Sequence, residues 1–254
     1  MQEFQVVIIG SGPGGYVAAV RAGMLGMKTA LVERDAFLGG TCLHRGCIPT
    51  KALLQTAHLY DEFKRAGEHG LIAESVGIDY AKVHKRKAGI VDKLAKGIQY
   101  LMKKRKVAVF TGKGRIADKN TVVVETTKGE EKIKAGVIIV ATGSTPARLP
   151  HISPDHKTVL DSDSILVEQA IPKTLAVIGA GAVGVEFASI FNSFGTKVTV
   201  IEVLPRIVPL EDDDISKALE RTFKKKGVNV YTSSEVKNLD CTRDGVKLRV
   251  ETAG

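Results

Sequence analysis

The sequence lacks any long apolar run. No stretch reaches the roughly 18 consecutive apolar residues that a membrane-spanning helix needs. A secretory leader is not expected either, because an apolar segment typical of a buried strand begins at Phe4. The 254 residues include only 3 cysteines, and without a secretory signal this favours a reducing compartment, the cytoplasm. These absences exclude an integral membrane protein and a disulfide-rich secreted fold.

Aromatic residues are absent from the two most basic segments, 84–87 and 103–106. The chain carries 37 Lys and Arg against 28 Asp and Glu, a net charge of +9. Nucleic-acid sites usually interleave basic and aromatic side chains. These segments instead lie on a stretch whose apolar residues recur with the period of a helix. We therefore interpret them as the solvated face of an amphipathic helix. A basic nucleic-acid binder is the weaker alternative.

A glycine-rich turn stands near the start of the chain. Residues 4–34 have the pattern of strand, turn, helix and strand, with Gly10, Gly12 and Gly15 at the positions of G-x-G-x-x-G. The first glycine permits a tight turn, the second lets the backbone approach a pyrophosphate, and the third allows close packing of helix on strand. Glu33 follows Gly10 by 23 residues, where an acid accepts hydrogen bonds from a ribose. The segment therefore predicts a dinucleotide-binding unit.

The same unit recurs downstream at matched spacing. Gly179, Gly181 and Gly184 repeat the glycine pattern, and Glu202 again follows the first glycine by 23 residues. In both copies a further glycine, 16 residues after the first, ends the helix. Recurrence at one spacing is stronger evidence than either motif alone. A carboxylate at this position binds a ribose 2′-hydroxyl and repels a 2′-phosphate, so Glu202 favours NAD over NADP.

Between these units lie two cysteines five residues apart, Cys42 and Cys47. On a regular helix their Cα atoms would be roughly 8 to 9 Å apart, beyond the usual limit of about 6.8 Å for a disulfide. A bond would require distorted backbone, which Gly46 and Pro49 permit. So small a ring constrains the unfolded chain little, which favours a reducible pair over a structural staple. The alternatives are two unrelated thiols or half a zinc site, and His44 alone does not complete the latter.

The segments G-G-T-C and G-C-I-P-T-K-A-L around the cysteines resemble the redox-disulfide segment of the pyridine nucleotide-disulfide oxidoreductases, most closely the members that oxidise dihydrolipoamide. The resemblance implies that FAD binds the first unit and NAD the second. It implies that Cys42 exchanges with the substrate and that Cys47 faces the flavin. Lys51 is implied to lie near the flavin and to pair with Glu186. The A-T-G-S segment at 141–144 resembles the family's exit from the flavin domain.

The expected fold class is α/β, with two Rossmann-like dinucleotide-binding domains. The first, 1–150, binds FAD and ends in a β-meander; the second, 151–254, is an incomplete NAD domain. A glycine-bounded turn is expected at Gly112 and Gly114. The helices are expected at 51–69, 79–104 and 212–226.

The candidate residues fall into three groups, and no metal ligands are among them. The catalytic candidates are Cys42, Cys47, Lys51 and Glu186. The FAD candidates are Gly10, Gly12, Gly14, Gly15, Glu33, Arg34, Gly40, Thr41, Cys42, Lys51, Gly114, Thr142, Gly143 and Ser144. The NAD candidates are Gly179, Ala180, Gly181, Ala182, Val183, Gly184, Glu202 and Val236.

The resemblance also implies a reaction and its partners. It implies oxidation of protein-bound dihydrolipoamide on a lipoylated acyltransferase or glycine-cleavage protein, by a homodimer. The family's C-terminal interface domain, with its histidine base, has no counterpart among these residues, so we expect a truncated form with impaired turnover. Two alternatives stay open: a glutathione- or mercuric-reductase-like enzyme, and a non-catalytic FAD- and NAD-binding module.

Overall fold

The computed structural model describes residues 1–242 and 245–253, which divide into two compact units. The first comprises 1–49 and 88–145, and the second comprises 50–87 together with the chain from Pro146 onward. The later change of unit lies near the predicted boundary at residue 150. The segment 50–87, however, lies inside the predicted first domain and packs with the second unit. Which cofactor each domain binds stays a prediction.

The elements alternate along the chain. The strands are β1 Gln2–Ile9, β2 Thr29–Glu33, β3 Ala108–Thr111, β4 Lys113–Asp118, β5 Thr121–Thr126, β6 Gly129–Val140, β7 Thr174–Ile178, β8 Lys197–Ile201, β9 Asn229–Tyr231, β10 Ser234–Thr242 and β11 Gly245–Thr252. The helices are α1 Pro13–Met24, α2 Gly40–Arg45, α3 Cys47–Lys64, α4 Tyr80–Lys104, α5 Ala182–Ser193 and α6 Asp213–Lys225. Among the described residues, no helix combines the length and apolarity required to cross a membrane.

In the first unit, the described strands form a mixed six-stranded sheet with the order β3-β2-β1-β6-β5-β4. Strands β3, β2, β1 and β6 run parallel, and β4 and β5 complete an antiparallel meander with β6. Successive side chains of β1 point to opposite faces. Ile8 packs in a core with residues of α1 and α4, and Val7 packs in another core with residues of β5. The expected α/β fold with a meander is present.

In the second unit, the described strands include a parallel sheet with the order β7-β8-β9 and a β10–β11 hairpin. Its core joins Leu53 and Ala57 of α3 to Phe187 and Phe191 of α5. This contact explains why part of α3 belongs to the second unit. Apolar residues four apart lie on one face of a helix, and here that face packs against α5.

Two local predictions were wrong. Gly114 does not bound a turn, because it lies within β4 and pairs with Val124. An added Cβ there would lie 2.7 Å from Ile9 Cγ2, so a small residue is required by the packing of β4 on β1. Pro49 does not interrupt a helix either. It lies in the first turn of α3, where a missing N–H removes no helical hydrogen bond.

The basic segment 84–87 is not wholly solvated as expected. Lys87 is buried, and its ammonium donates to the backbone oxygen of Leu166 and contacts His84 Nδ1 at 3.2 Å. Burial lowers the pKa of Lys87 from its ordinary value. A buried ammonium needs acceptors, and a backbone carbonyl supplies one here. The pattern of charges could not reveal this, because the acceptor lies 79 residues away in sequence.

Candidate active site

The first glycine-rich turn joins β1 to α1. Gly10 has φ +99°, in the region that favours glycine, and an added Cβ would lie 2.3 Å from the backbone oxygen of Ala141. At Gly15 an added Cβ would lie 1.8 Å from the oxygen of Gly10, so helix and turn make close backbone contact. Both positions therefore require glycine, as the motif predicts.

The N-terminus of α1 fits a pyrophosphate. Gly12 is the N-cap and no side chain caps the helix. Nothing lies within 4 Å of the position a Cβ would take at Gly12 or Gly14, so the backbone is open on this side. Helix N-termini carry unsatisfied N–H groups and a partial positive charge, which together bind anions. This fit is what the sequence predicts for the phosphates of a dinucleotide.

Glu33 ends β2 with a buried carboxylate whose two oxygens have different partners. Oε2 accepts the backbone N–H of Ser11 at 2.8 Å and the Ser11 hydroxyl, and Oε1 accepts the backbone N–H of Asp35 at 2.9 Å. Burial alone would raise the pKa of Glu33, but these hydrogen bonds outweigh it and the pKa lies below its ordinary value. The acid is therefore held as an anion beside the turn.

The 141–144 segment follows β6 directly and borders the same turn. The N–H of Ala141 donates to the oxygen of Ile9 at 2.8 Å, and a Cβ on Gly10 would lie 3.1 Å from the Cα of Thr142. Gly143 has φ +72°, and Ser144 is exposed. The fold thus brings Ala141 and Thr142 to the first turn. The contact of this segment with a flavin stays a prediction.

Cys42 lies on α2, which begins against the glycine-rich turn. An added Cβ on Gly40 would lie 2.6 Å from the Cα of Gly12, so α2 starts in close contact with the turn. Cys42 is half-buried, and Thr41 beside it is exposed. The first unit therefore places Cys42 two residues after Gly40, the residue of α2 that contacts the glycine-rich turn.

The backbone between the two cysteines departs from a single helix only at Gly46, where φ is −142° and ψ is −117°. Helix α2 ends before this residue and α3 begins after it, at the exposed Cys47. An added Cβ on Gly46 would lie 3.3 Å from the Cα of Cys42, so the chain folds back against the first cysteine here. The expected distortion is present. The pairing of Cys42 with Cys47 stays a prediction.

Three further contacts fix α2, and sequence reasoning missed them. The N–H of Gly39 donates to the oxygen of Ser11 at 3.1 Å and to its Oγ at 3.0 Å. At the other end, Arg45 Nη2 donates to Asp35 Oδ2 at 2.8 Å, and His44 Nε2 lies 2.9 Å from a backbone oxygen. Ser11 occupies the variable position of G-x-G, and Asp35 lies two residues after Glu33. No sequence pattern connects either residue with α2.

The second turn repeats the first at its centre. Gly179 has φ +97°, and an added Cβ on Gly184 would lie 2.0 Å from its backbone oxygen. Gly181 is the N-cap of α5, without a capping side chain, and its Cβ position is open. Glu202 is buried and accepts the N–H of Ala180 at 2.6 Å and that of Leu204 at 2.9 Å. The turn therefore also fits a pyrophosphate beside an acid.

The remaining candidates take several positions. Lys51 Nζ lies 2.5 Å from Glu186 Oε1, so the ion pair implied by the resemblance is present within the second unit. Arg34 is exposed and lies 3.7 Å from an oxygen of Asp35. Val236 is half-buried in β10 opposite Val250. The first helical residues of α5 that are NAD candidates, Ala182 and Val183, are exposed.

The sequence profile of the pyridine nucleotide-disulphide oxidoreductases matches residues 4–254. The chain belongs to this family. Its fold is the family's FAD- and NAD-binding fold.

Individual relatives agree with this assignment. The chain is 44% identical over 263 residues to the dihydrolipoyl dehydrogenase of Bacillus subtilis, covering 99% of this chain and 55% of that protein. Among solved structures, LpdA of Mycobacterium tuberculosis matches with a TM-score of 0.89 at 26% identity, over 98% of this chain and 55% of that one. The Cu(II) complex of the HOCl-induced flavoprotein disulfide reductase RclA of Escherichia coli matches at 0.84 and 29%, over 100% and 54%. The chain spans about half the length of the curated relatives it matches.

Proposed function

We propose that the chain belongs to a dihydrolipoyl dehydrogenase, which oxidises protein-bound dihydrolipoamide to lipoamide and reduces NAD⁺ to NADH. The observation that carries this proposal is the close contact between Gly40, at the start of the cysteine-bearing α2, and Gly12 of the first glycine-rich turn. A thiol pair beside a dinucleotide turn suits transfer of electrons between a dithiol and a cofactor. The identity of 44% to a dihydrolipoyl dehydrogenase supports the choice of substrate.

The residues that hold the cofactors follow from the two turns. The open N-terminus of α1 would hold the pyrophosphate of FAD, with Glu33 toward its ribose, and the N-terminus of α5 would hold that of NAD, with Glu202 toward its ribose. When bound, FAD and NAD⁺ supply the two-electron acceptor chemistry. We also assign Arg34, Gly114 and the 142–144 segment to the flavin, and Val236 to NAD, on the resemblance.

The chain's own thiols carry out the disulfide exchange. With Cys42 and Cys47 oxidised, a substrate thiolate attacks the Cys42 sulfur, a mixed disulfide forms, and Cys47 leaves as a thiolate. The second substrate thiolate then attacks the substrate sulfur of the mixed disulfide, which releases Cys42 as a thiolate and closes lipoamide. Two electrons pass from the substrate dithiol to the cysteine pair, and two thiol protons are released. We assign Lys51, paired with Glu186, to stabilise the resulting negative charge.

The wider setting belongs to the same proposal. The substrate lipoyl group would be carried by an acyltransferase or a glycine-cleavage protein, and the complete enzyme would be a homodimer. We propose a cytoplasmic location, because thiol–disulfide exchange needs a compartment that does not hold cysteines permanently oxidised. Among the chain's six histidines, none stands in the family's H-P-T context, so the thiol base would have to come from outside these residues.

An anaerobic titration tests the proposal. The purified chain is loaded with FAD and mixed with dihydrolipoamide while its visible absorption spectrum is recorded. We expect a flavin spectrum that gains a long-wavelength band in the wild type and in the Cys241→Ser control, since Cys241 lies in the hairpin of the second unit. We expect no such band in Cys47→Ser, which lacks the thiol that faces the flavin. In Cys42→Ser we expect a band that is already present before dihydrolipoamide is added and does not change on its addition, because Cys47 can form no disulfide there.

Two results would overturn the proposal. A chain that binds no FAD would contradict the fit of the first turn. A flavin that responds to glutathione or to NADPH but not to dihydrolipoamide and NADH would favour a reductase of another substrate class. The structural likeness to RclA, a disulfide reductase by name, makes that second result the alternative to test.

A further inference from the structure

The carboxylate of Glu33 is the centre of a branched hydrogen-bond chain. One oxygen, Oε2, accepts from the backbone and hydroxyl of Ser11, and the other, Oε1, accepts from the backbone of Asp35. Ser11 is completely buried, so its hydroxyl has no water to bind in place of these partners. Each oxygen of the acid therefore holds a different residue.

The two held residues continue the chain to opposite ends of α2. Ser11 accepts the N–H of Gly39, immediately before the helix, through both its backbone oxygen and its hydroxyl, at 3.1 and 3.0 Å. Asp35 Oδ2 accepts a hydrogen bond from Nη2 of Arg45, the last residue of the helix, at 2.8 Å. Both ends of the six-residue helix that carries Cys42 are thus connected to one carboxylate.

The second unit supplies an internal comparison. Glu202 holds Ala180 and Leu204 as Glu33 holds Ser11 and Asp35. Neither Ala180 nor Leu204 has a polar side chain, so the hydrogen bonds of the side chains cannot extend further. The second unit therefore forms its acid and turn without further side-chain hydrogen bonds. In the first unit, the side-chain hydrogen bonds of Ser11 and Asp35 are not needed to form the turn.

We propose that Ser11 and Asp35 are positioning residues through which the Glu33 carboxylate fixes both ends of α2 and thereby sets the accessibility of Cys42. The inference rests on the proposed function, in which Cys42 is the exchanging thiol and Glu33 borders the bound dinucleotide. It adds a reason for the polar side chains at positions 11 and 35. A group that binds at Glu33 is thereby linked to the thiol through two short paths.

The hydrogen bonds through Ser11 and through Asp35 can each be broken while Glu33 is kept. Ser11→Ala removes the hydroxyl but keeps both backbone contacts, as in the second unit. Asp35→Asn keeps the backbone N–H on Glu33 and removes the charge that binds Arg45. Because access and thiolate fraction together set thiol reactivity, loosening α2 exposes the half-buried Cys42 to a small reagent.

The test measures iodoacetamide alkylation of Cys42, Cys47 and Cys241 in the pre-reduced chain without FAD, by peptide mass spectrometry from pH 7 to 10. We expect each single variant to raise the high-pH rate at Cys42 by about threefold, and the double variant by about tenfold. Cys241 provides the internal reference and should not change. Asp92→Asn, which removes an exposed ion pair with Lys96 in the same unit, is the matched control.

Rescue and coupling separate positioning from general loss of structure. Asp35→Glu keeps the charge and should restore the wild-type rate. Arg45→Gln should act like Asp35→Asn, and the two together should have no larger effect than either alone. The inference is overturned if Cys42 reacts at the wild-type rate in all these variants, or if Cys241 accelerates equally.

A second arm adds FAD and distinguishes the two proposals. Protection of Cys42 by FAD in the wild type is the result expected from the proposed function. If FAD protects nothing while the variants still accelerate Cys42, the positioning inference stands and the proposed cofactor assignment fails. If FAD protects Cys42 and the variants match the wild type, the assignment stands and the positioning inference fails.

Discussion

The two glycine-rich turns are alike at their centres and different at their borders. In both, the third glycine packs against the carbonyl of the first, and a buried glutamate holds the backbone of the turn. At Gly10, however, the segment after β6 closes over the turn, whereas nothing lies within 4 Å of the Cβ position at Gly179. Strand β1 has neighbours on both sides, while β7 is an edge strand of the sheet formed by the described residues. The shared centre is fixed locally and the border by distant segments.

The largest effect is expected where the copies agree. Gly15→Ala and Gly184→Ala place a Cβ 1.8 and 2.0 Å from a backbone oxygen, so strand and helix must separate in either unit. We expect each change to lower the free energy of unfolding by about 3 kcal/mol or more. Urea denaturation followed by circular dichroism measures the loss.

If the two turns pack alike, Gly15→Ala and Gly184→Ala should lower the free energy of unfolding by similar amounts. Gly97→Ala, within α4, is the control, because this helical glycine has nothing within 4 Å of its Cβ position. A loss at Gly184 no larger than at Gly97 would mean that the second turn does not pack as the first does.

The next effect is expected where the copies differ. Gly10→Ala and Gly179→Ala meet the same backbone strain, with φ of +99° and +97°, but only the first meets a backbone oxygen, at 2.3 Å. We expect about 1–2 kcal/mol of destabilisation at Gly179, and about 2 kcal/mol more at Gly10, from overpacking. Hydrogen exchange resolved to peptides of each unit provides the measurement. Equal losses would show that the covering segment does not matter.

A smaller effect distinguishes the units by their electrostatics. In the second unit, Asp61 accepts from Ser193 Oγ at 2.7 Å and pairs with Lys64 and Lys226. Burial opposes ionisation, but these groups outweigh it and lower the pKa of Asp61 from 3.8 to about 2. The folded-state pKa lies below the unfolded value, so this stabilisation is fully present above about pH 4 and is lost as the pH falls through about 2.

Asp61→Asn tests that contribution. We expect a loss of about 1–2 kcal/mol at pH 7, and a weaker dependence of stability on pH between about 4 and 2. Urea titrations at several pH values measure both. Asp92→Asn is the control, because its ion pair with Lys96 is exposed and contributes little. An Asp61→Asn chain with unchanged acid sensitivity would contradict the assignment.

The difference between the turns also explains what the sequence could reveal. Gly15, Glu33 and the positive φ of Gly10 were predictable because they depend on neighbours within one strand–helix–strand unit, whereas the contact of Gly10 with Ala141 was not. The packing of 50–87 with the second unit was not predictable, since helical periodicity shows which face of α3 is apolar but not which partner covers it. The same holds for the acceptor of Lys87. Pro49 was misjudged because its effect depends on the position at which α3 begins.

The site was predictable in the same measure. The ion pair of Lys51 with Glu186 followed from the family resemblance, although the residues are 135 positions apart. The contacts of Ser11 and Asp35 with α2 were not anticipated, because they depend on how α2 lies against the end of β2. A short polar residue at either position is common in turns and carries no distinguishing signal.

A crossed titration of Glu33→Gln and Glu202→Gln tests whether each glycine-rich turn binds its own cofactor. FAD binding is followed by flavin fluorescence, and NAD⁺ and NADP⁺ binding by calorimetry. We expect Glu33→Gln to weaken FAD binding about tenfold or more and to leave NAD⁺ binding unchanged. We expect Glu202→Gln to weaken NAD⁺ binding and to reduce the chain's preference for NAD⁺ over NADP⁺. Equal effects of both variants on both cofactors, or no effect of either, would contradict the assignment of one cofactor to each turn.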